Sequence, residues 1–251
     1  MPSQPRASVS ANGAGSHPKP TLRIEQLLWS RRLCAVAGVD EAGRGAWAGP
    51  VVAAAVILPR DIVSAEDLVA RLSGNTPSGF VGIRDSKQLQ PAQRQAADYV
   101  VRHTALAVGV GTLSAEVIDA VGLAAAGQLA FWRAVNSLSI SPDFLLVDGF
   151  ALWSPEYPQM AVLQGDARSL SIAAASIVAK VHRDAVMREL AAVYPEFGFE
   201  HNVGYGTAHH AAALASLGPS PFHRRSFTPV AAREPPVQGI GIDQDDEDPC
   251  A

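Results

Sequence analysis

Apolar and polar positions along the chain sort into short runs and longer periodic stretches. Residues 35–40 (AVAGVD) form an apolar run that ends in an acid, the pattern of a buried strand. Residues 51–58 (VVAAAVIL) form a second, and the Gly- and Pro-containing link between the two predicts a hairpin-like connection. Residues 91–103 read as a helix opening on Pro91, a residue suited to the first turn. Residues 105–112 predict a Gly-containing strand, and residues 114–137 a single long helix starting at Ser114. A short buried strand is expected at 144–148 (FLLVD) and another at 161–163. Residues 169–194 are helical up to Pro195, and a last helix is expected from about Thr207 to Leu217, stopped by Gly218-Pro219. Strands come first and then alternate with helices, which predicts an α/β domain with a mixed central sheet flanked by helices.

The two ends look different. Residues 1–20 are rich in Ser, Pro, Gly and Ala, and residues 234–251 begin with Pro235-Pro236 and finish in an acidic block. Both are expected to be disordered tails around one domain, 21–233. Charge changes with this division. The whole chain carries −4, but six of its acids lie from Glu234 onward, where there is no Lys or Arg. Without that segment the net charge is +2, and without Arg6 and Lys19 as well it is zero. A grip on phosphates must then come from local basic patches rather than a global field.

Composition excludes some classes. Hydrophobic residues make up 48% and charged residues 18%, an ordinary globular balance with ample length for a core. No apolar run approaches a membrane span, and the polar N-terminus is no secretory signal. Cys34 and Cys250 are not expected to pair, so a reducing cytoplasm is the expected compartment.

The candidate chemistry lies in carboxylates at strand ends and a helix entrance. Asp40 and Glu41 follow the first buried run and lead into Gly43-Arg44-Gly45. Neighbours on a strand face opposite sides, so both acids point inward only if the chain bends there. Asp148 ends FLLVD before Gly149, and Asp166 follows Gly165 ahead of the long helix. Each acid alone also reads as turn or cap chemistry. Together they form a cluster that would repel itself at low dielectric, and divalent cations are the simplest compensation. An oxygen-only donor set favours Mg²⁺ or Mn²⁺ over zinc. Two such ions can polarise water and stabilise a leaving oxygen in phosphodiester hydrolysis.

These residues sit inside a longer series of motifs. Asp40-Glu41-Ala42-Gly43-Arg44-Gly45 with Gly49-Pro50 resembles the signature of the ribonuclease HII family. The resemblance continues through Asp85-Ser86-Lys87-Gln88-Leu89, Val147-Asp148-Gly149, Gly165-Asp166, the run 173–181 with Arg183-Asp184, Gly204-Tyr205-Gly206-Thr207 and His223-Arg224-Arg225-Ser226-Phe227. It spans about residues 34–228, and the order and number of the motifs make it specific. It implies a ribonuclease H-like fold and a metal-dependent endonuclease. The substrates would be RNA–DNA hybrids and DNA containing ribonucleotides, and the products 5′-phosphate and 3′-hydroxyl ends.

By the same resemblance, Asp40, Glu41, Asp148 and Asp166 would be catalytic and bind two Mn²⁺ or Mg²⁺ ions. Gly43, Arg44 and Gly45 would read the ribose 2′-hydroxyl, largely through the main chain, and Tyr205 would stack on the next sugar. Glycine suits a main chain that approaches a sugar, and the 2′-hydroxyl separates RNA from DNA. Lys87 and Lys180 are candidate phosphate contacts, with Ser176 and Ser86 weaker ones. A monomer is expected. The family often has Lys before Gly-Asp; here Gln164 takes that place.

Other residues read as support. Asp184 beside Arg183 is expected to be a structural ion pair, and Asp85 to shape the loop presenting Lys87. The histidines match no trusted zinc spacing. His223, Arg224 and Arg225 could sit near phosphate. Gly109-Val110-Gly111 hints at a dinucleotide loop, but lacks the third glycine and the following acid.

Overall fold

The computed structural model describes residues 19–153 and 156–233. Apart from Lys19 and Pro20, the two expected tails lie outside the described residues. The strands are β1 (Val36–Ala42), β2 (Val51–Ile57), β3 (Ala107–Leu113), β4 (Phe144–Asp148) and β5 (Gln159–Val162). The helices are α1 (Arg23–Ser30), α2 (Ala65–Ala70), α3 (Pro91–Thr104), α4 (Ala115–Val121), α5 (Leu123–Asn136), α6 (Leu170–Val193), α7 (Phe199–Asn202), α8 (Ala208–Leu217) and α9 (Thr228–Ala231).

The strands form one mixed sheet in the order β3-β2-β1-β4-β5. β1 and β2 pair antiparallel, as their short link implied, while β1–β4 and β4–β5 are parallel. Every residue of β2 is buried, which explains its unbroken apolar run. β3 at the sheet edge alternates buried and half-buried positions. Its glycines are explained by packing: a Cβ on Gly109 or Gly111 would lie 2.1 Å from the carbonyl oxygen of Ala134 or Ala130 in α5. The main chain of that helix lies directly on the strand, and no dinucleotide loop is present there.

The chain divides into two compact units. The first takes residues up to Ala42, Val52–Thr112 and Gln128–His182; the second takes Gly43–Val51, Leu113–Gly127 and Arg183 onward. In the first, Val52, Ala54 and Val56 of β2 pack with Val100 and Val101 of α3 and Ala173, Ile177 and Val178 of α6. Leu146, Val162 and Ile172 pack with Leu28 of α1 in a second cluster. In the second unit, Ala48, Met187, Phe197, Phe199, Leu214 and Val230 make a separate core.

Two expectations are corrected. The helix expected over 114–137 is two helices, because Gly122 takes φ +82° and ends α4. The first strand runs on to Ala42, so Asp40 and Glu41 both lie inside regular strand and the bend comes after them, at Gly43 with φ +92°. Ser114 caps α4 by accepting from the Val117 N–H at 3.3 Å, and Thr207 caps α8 in the same manner.

Candidate active site

Parallel pairing sets two of the acids side by side. The register Val36↔Phe144 to Val39↔Val147 carries on to put Asp40, inside β1, level with Asp148 at the end of β4. Such neighbours are about 4.8 Å apart along the hydrogen-bonding direction. One strand further, β5 leads into the tight turn Gly165–Ala167, which holds Asp166. The Asp148 carboxylate accepts the Gly165 N–H at 2.6 Å and so ties that turn to the sheet. Asp40, Asp148 and Asp166 thus come to one sheet edge from three elements, and Glu41 is half-buried beside Asp40.

The electrostatics follow from that crowding. Asp40 is 5% exposed, and burial first, then the charges of Glu41 and Asp148, hold its proton affinity well above the usual carboxylate range. Asp166 is raised too, by burial and then by Asp85 and Asp148. Among the described residues, no three His, Cys, Asp or Glu side chains converge closely enough to grip an ion as they stand. What the edge does present is a set of hard oxygen donors that repel one another, with one acid driven toward its protonated form. That donor chemistry fits a divalent cation such as Mg²⁺ or Mn²⁺.

Support for the acids comes from α6 and from residues 85–87. Asp85 accepts the Lys87 main-chain N–H at 2.9 Å and caps the turn Ser86–Gln88, the loop-shaping role expected of it. Lys87 is exposed, with Nζ 3.7 Å from Asp166. Burial works against its charge, but Asp166, Asp85, Asp40 and Asp148 outweigh that and raise its proton affinity. Ser86 and Ser176 are buried and share a 2.9 Å hydroxyl contact, and Ser176 hydrogen-bonds Asp40. Both serines therefore lie beneath the acid as braces, not open to a phosphate. Lys180 is half-buried further along α6.

The turn after β1 belongs to the second unit. Gly43 is buried, Arg44 half-buried and Gly45 exposed. A Cβ on Gly43 would fall 2.0 Å from Arg183 Nε, so packing as well as φ demands glycine there. At Gly45 a Cβ would meet only Tyr205 Cε1, at 4.0 Å, so nothing in the fold requires glycine. Tyr205 is 39% exposed, and its ring centroid lies 5.5 Å from the Arg183 guanidinium carbon. The Trp47 N–H donates to the Gly204 carbonyl at 2.8 Å, which ties the Tyr205 loop to the turn.

Sequence reasoning missed several supports. Arg183 gives all three guanidinium nitrogens to the carbonyls of Pro50, Val203 and Ala48, not to an ion pair with Asp184. Arg224 and His223 are buried, which removes them as phosphate contacts. His210 Nδ1 lies 2.9 Å from the Tyr205 carbonyl, an acceptor, so that nitrogen carries the proton. His210 Nε2 must then accept from His223 Nε2 at 2.9 Å, which leaves His223 Nδ1 to accept the Ser220 N–H at 3.0 Å. Both rings are neutral in this relay. Glu25, fully buried on α1, accepts from Ser169 Oγ and from the N–H and Oγ of Ser171, and so caps the start of α6. Asp119 accepts the N–H groups of Arg225 and Ser226. Arg183, His223 and Arg224 lie inside motifs of the sequence; Glu25 and Asp119 showed only as an acid in an apolar helix and a single charge far from any motif.

A mixed sheet that brings carboxylates of β1, β4 and the turn after β5 toward one end fits a metal-dependent ribonuclease H endonuclease. The model of the ribonuclease HII family matches residues 37–230. Ribonuclease HII of Chloroflexus aggregans is 47% identical over 211 residues, 84% of this chain and 94% of that one. Among solved structures, ribonuclease H2 from Pyrococcus horikoshii OT3 is 29% identical with a TM-score of 0.64, covering 79% of this chain and 96% of that one. A structure of Bst-RNase HIII in complex with Mn²⁺ has a TM-score of 0.57 at 19% identity, covering 90% of this chain and 75% of that one. The chain belongs to the ribonuclease HII family. Its activity is the cleavage of RNA in RNA–DNA hybrids and at ribonucleotides embedded in DNA. Among the described residues no helix is long and apolar enough to cross a membrane.

Proposed function

We propose that Asp40, Glu41, Asp148 and Asp166 hold two divalent cations, Mn²⁺ or Mg²⁺, and that hydrolysis there leaves 5′-phosphate and 3′-hydroxyl ends. The observation that carries this is the approach of Asp40, Asp148 and Asp166 to one end of the sheet from three elements, with Asp40 driven toward protonation by burial first and then by Glu41 and Asp148. When bound, the ions supply polarisation of water and of the scissile phosphate and neutralise charge on the departing 3′-oxygen. The protein's part is positional. Ser176 orients Asp40, the Gly165 N–H orients Asp148, and Lys87 places a cation beside Asp166. Lys87 and Lys180 offer positive charge to phosphates of the bound duplex, with Lys87 Nζ the more exposed of the two.

Gly43, Arg44 and Gly45 are the reader of the 2′-hydroxyl. Space left open at Gly45, which the fold does not need, supports a close approach by a sugar. Tyr205, next to that space and half exposed, offers a ring face to the adjoining deoxyribose. Together these features favour a nick on the 5′ side of an embedded ribonucleotide.

The test is cleavage of a labelled duplex carrying one ribonucleotide, with Mn²⁺ or Mg²⁺, by the wild type and by Asp148→Asn. A 5′-side nick that vanishes in the variant and in chelator is expected. Cleavage that persists in strong chelator would refute the mechanism, and tight binding without cleavage by either protein would point to a silent nucleic-acid binder.

A further inference from the structure

Two arginines are completely buried in the second unit, and every hydrogen bond they make goes to a main-chain oxygen. Arg183 binds the carbonyls of Ala48, Pro50 and Val203 at 2.9–3.1 Å. Arg224 binds those of Gly49 at 3.0 Å and Arg44 at 2.8 Å. Its remaining nitrogen, Nη2, is buried without a partner. Buried arginines are ordinarily neutralised by carboxylates, because a lone cation without water is costly. Here the counter-dipoles are carbonyls of the turn that follows Ala42 and the carbonyl of Val203. Burial, and Arg183 next, pull the Arg224 guanidinium down to about 9, the mark of a cation held where water does not reach it.

The arrangement has a geometric consequence. In a trans peptide the C=O and N–H point in opposite directions. With the Arg44 carbonyl drawn onto Arg224, the N–H of the same peptide, that of Gly45, is turned the other way. Gly45 is the exposed residue of the turn, beside the space that no side chain fills. On the other side, Arg183 fixes Ala48 and Pro50, presses on Gly43, and lies against the Tyr205 ring. One guanidinium thus touches both the turn and the tyrosine. A planar fork that reaches two or three acceptors at once does this where an ammonium cannot.

We propose that Arg183 and Arg224 are positioning residues for ribose recognition: they fix the 43–50 turn so that its Gly45 N–H faces the 2′-hydroxyl. This rests on the proposed role of the turn as the ribose reader. Neither arginine touches the substrate. Their contribution is to hold the donor in place before the substrate arrives, which raises selectivity for ribose rather than general affinity for a duplex.

The experiment is steady-state cleavage of a duplex with one embedded ribonucleotide, with the all-DNA duplex of the same sequence as a competitive inhibitor. Wild type, Arg224→Lys, Arg183→Lys and Gly45→Ala are compared. Each lysine variant is expected to lose roughly tenfold or more in kcat/KM on the ribonucleotide duplex, the scale of one charge-assisted bond. The Ki of the all-DNA duplex, which has no 2′-hydroxyl, should stay within about twofold. A merely structural role would move both together, and that result, or no change in either, would overturn the proposal. Gly45→Ala separates the two layers. If it cleaves like wild type, the turn is not the ribose reader; if it is impaired while the lysine variants are not, only the role of the arginines falls. Should neither lysine variant melt cooperatively, Arg224→Gln takes their place and the same two outcomes decide, since a neutral amide buries no charge and loses one of the two bonds to the Gly49 and Arg44 carbonyls.

Discussion

Gly43 and Gly45 stand two residues apart in one motif, yet the structure assigns them opposite reasons for being glycine. At Gly43 the backbone has φ +92°, and a Cβ would sit 2.0 Å from Arg183 Nε and 2.5 Å from its Cδ. An alanine there meets left-handed strain of about 1–2 kcal/mol. It also forces a buried guanidinium aside, and each bond lost from a charged group costs about 1.5–3 kcal/mol. Losing one of the three Arg183 carbonyl bonds brings the total to roughly 3–5 kcal/mol. For a domain of this size that lowers Tm by roughly 10 °C. At Gly45 the nearest atom is 4.0 Å away and the backbone is not left-handed, so alanine should fall within about 0.5 kcal/mol of wild type. Thermal melts of Gly43→Ala and Gly45→Ala, each paired with cleavage of an embedded ribonucleotide, read both effects. The expected pattern is a large fall in Tm for Gly43→Ala, and an unchanged Tm with impaired cleavage for Gly45→Ala. If Gly43→Ala melts like wild type, the packing of Arg183 on the turn is wrong. If Gly45→Ala is fully active, the open space serves no substrate.

Three further outcomes follow from the same geometry. Burial first, and then His210, lower His223 to about 4, below the 6.5 of the unfolded chain. The folded state therefore resists the proton that the unfolded state accepts, so its stability is complete above pH 6.5 and declines as pH falls from 6.5 to 4, by about 3 kcal/mol. Denaturant titrations between pH 7.5 and 4.5 should show this slope reduced in His223→Gln; equal slopes would contradict the neutral relay. Glu25→Ala removes three acceptor contacts at the start of α6 and should destabilise by about 3 kcal/mol or more in urea unfolding, with a loss below 1 kcal/mol arguing against the cap. Millimolar Mn²⁺ should raise the Tm of the wild type through binding to the folded state, and Asp148→Asn should lose most of that rise; an equal rise in both would remove Asp148 from the ligand set.

What the sequence determined by itself was everything carried by local period and by motif. The strand through Asp40, the strand ending at Asp148, the helix ended by Pro195, the helix starts at Ser114 and Thr207 and the link between β1 and β2 are properties of a few adjacent residues. The acids were visible because each ends a buried run, and the resemblance to a family tied them together. The sequence pattern ended the first strand at Asp40 with a bend eased by Gly43 and Gly45, whereas the strand continues two residues further, to Ala42, before the chain turns at Gly43. Only the tertiary structure decided what lies beneath these motifs. Arg183 read as half of an ion pair, His223 and Arg224 as residues near phosphate, His210 as surface or cap, and Glu25 lay in no motif, yet all five are buried. Their partners are main-chain carbonyls, serines and each other, some from residues more than a hundred positions away. A main-chain oxygen has no signature in the sequence, because every residue carries one. Which oxygen a buried cation finds is therefore fixed by packing alone.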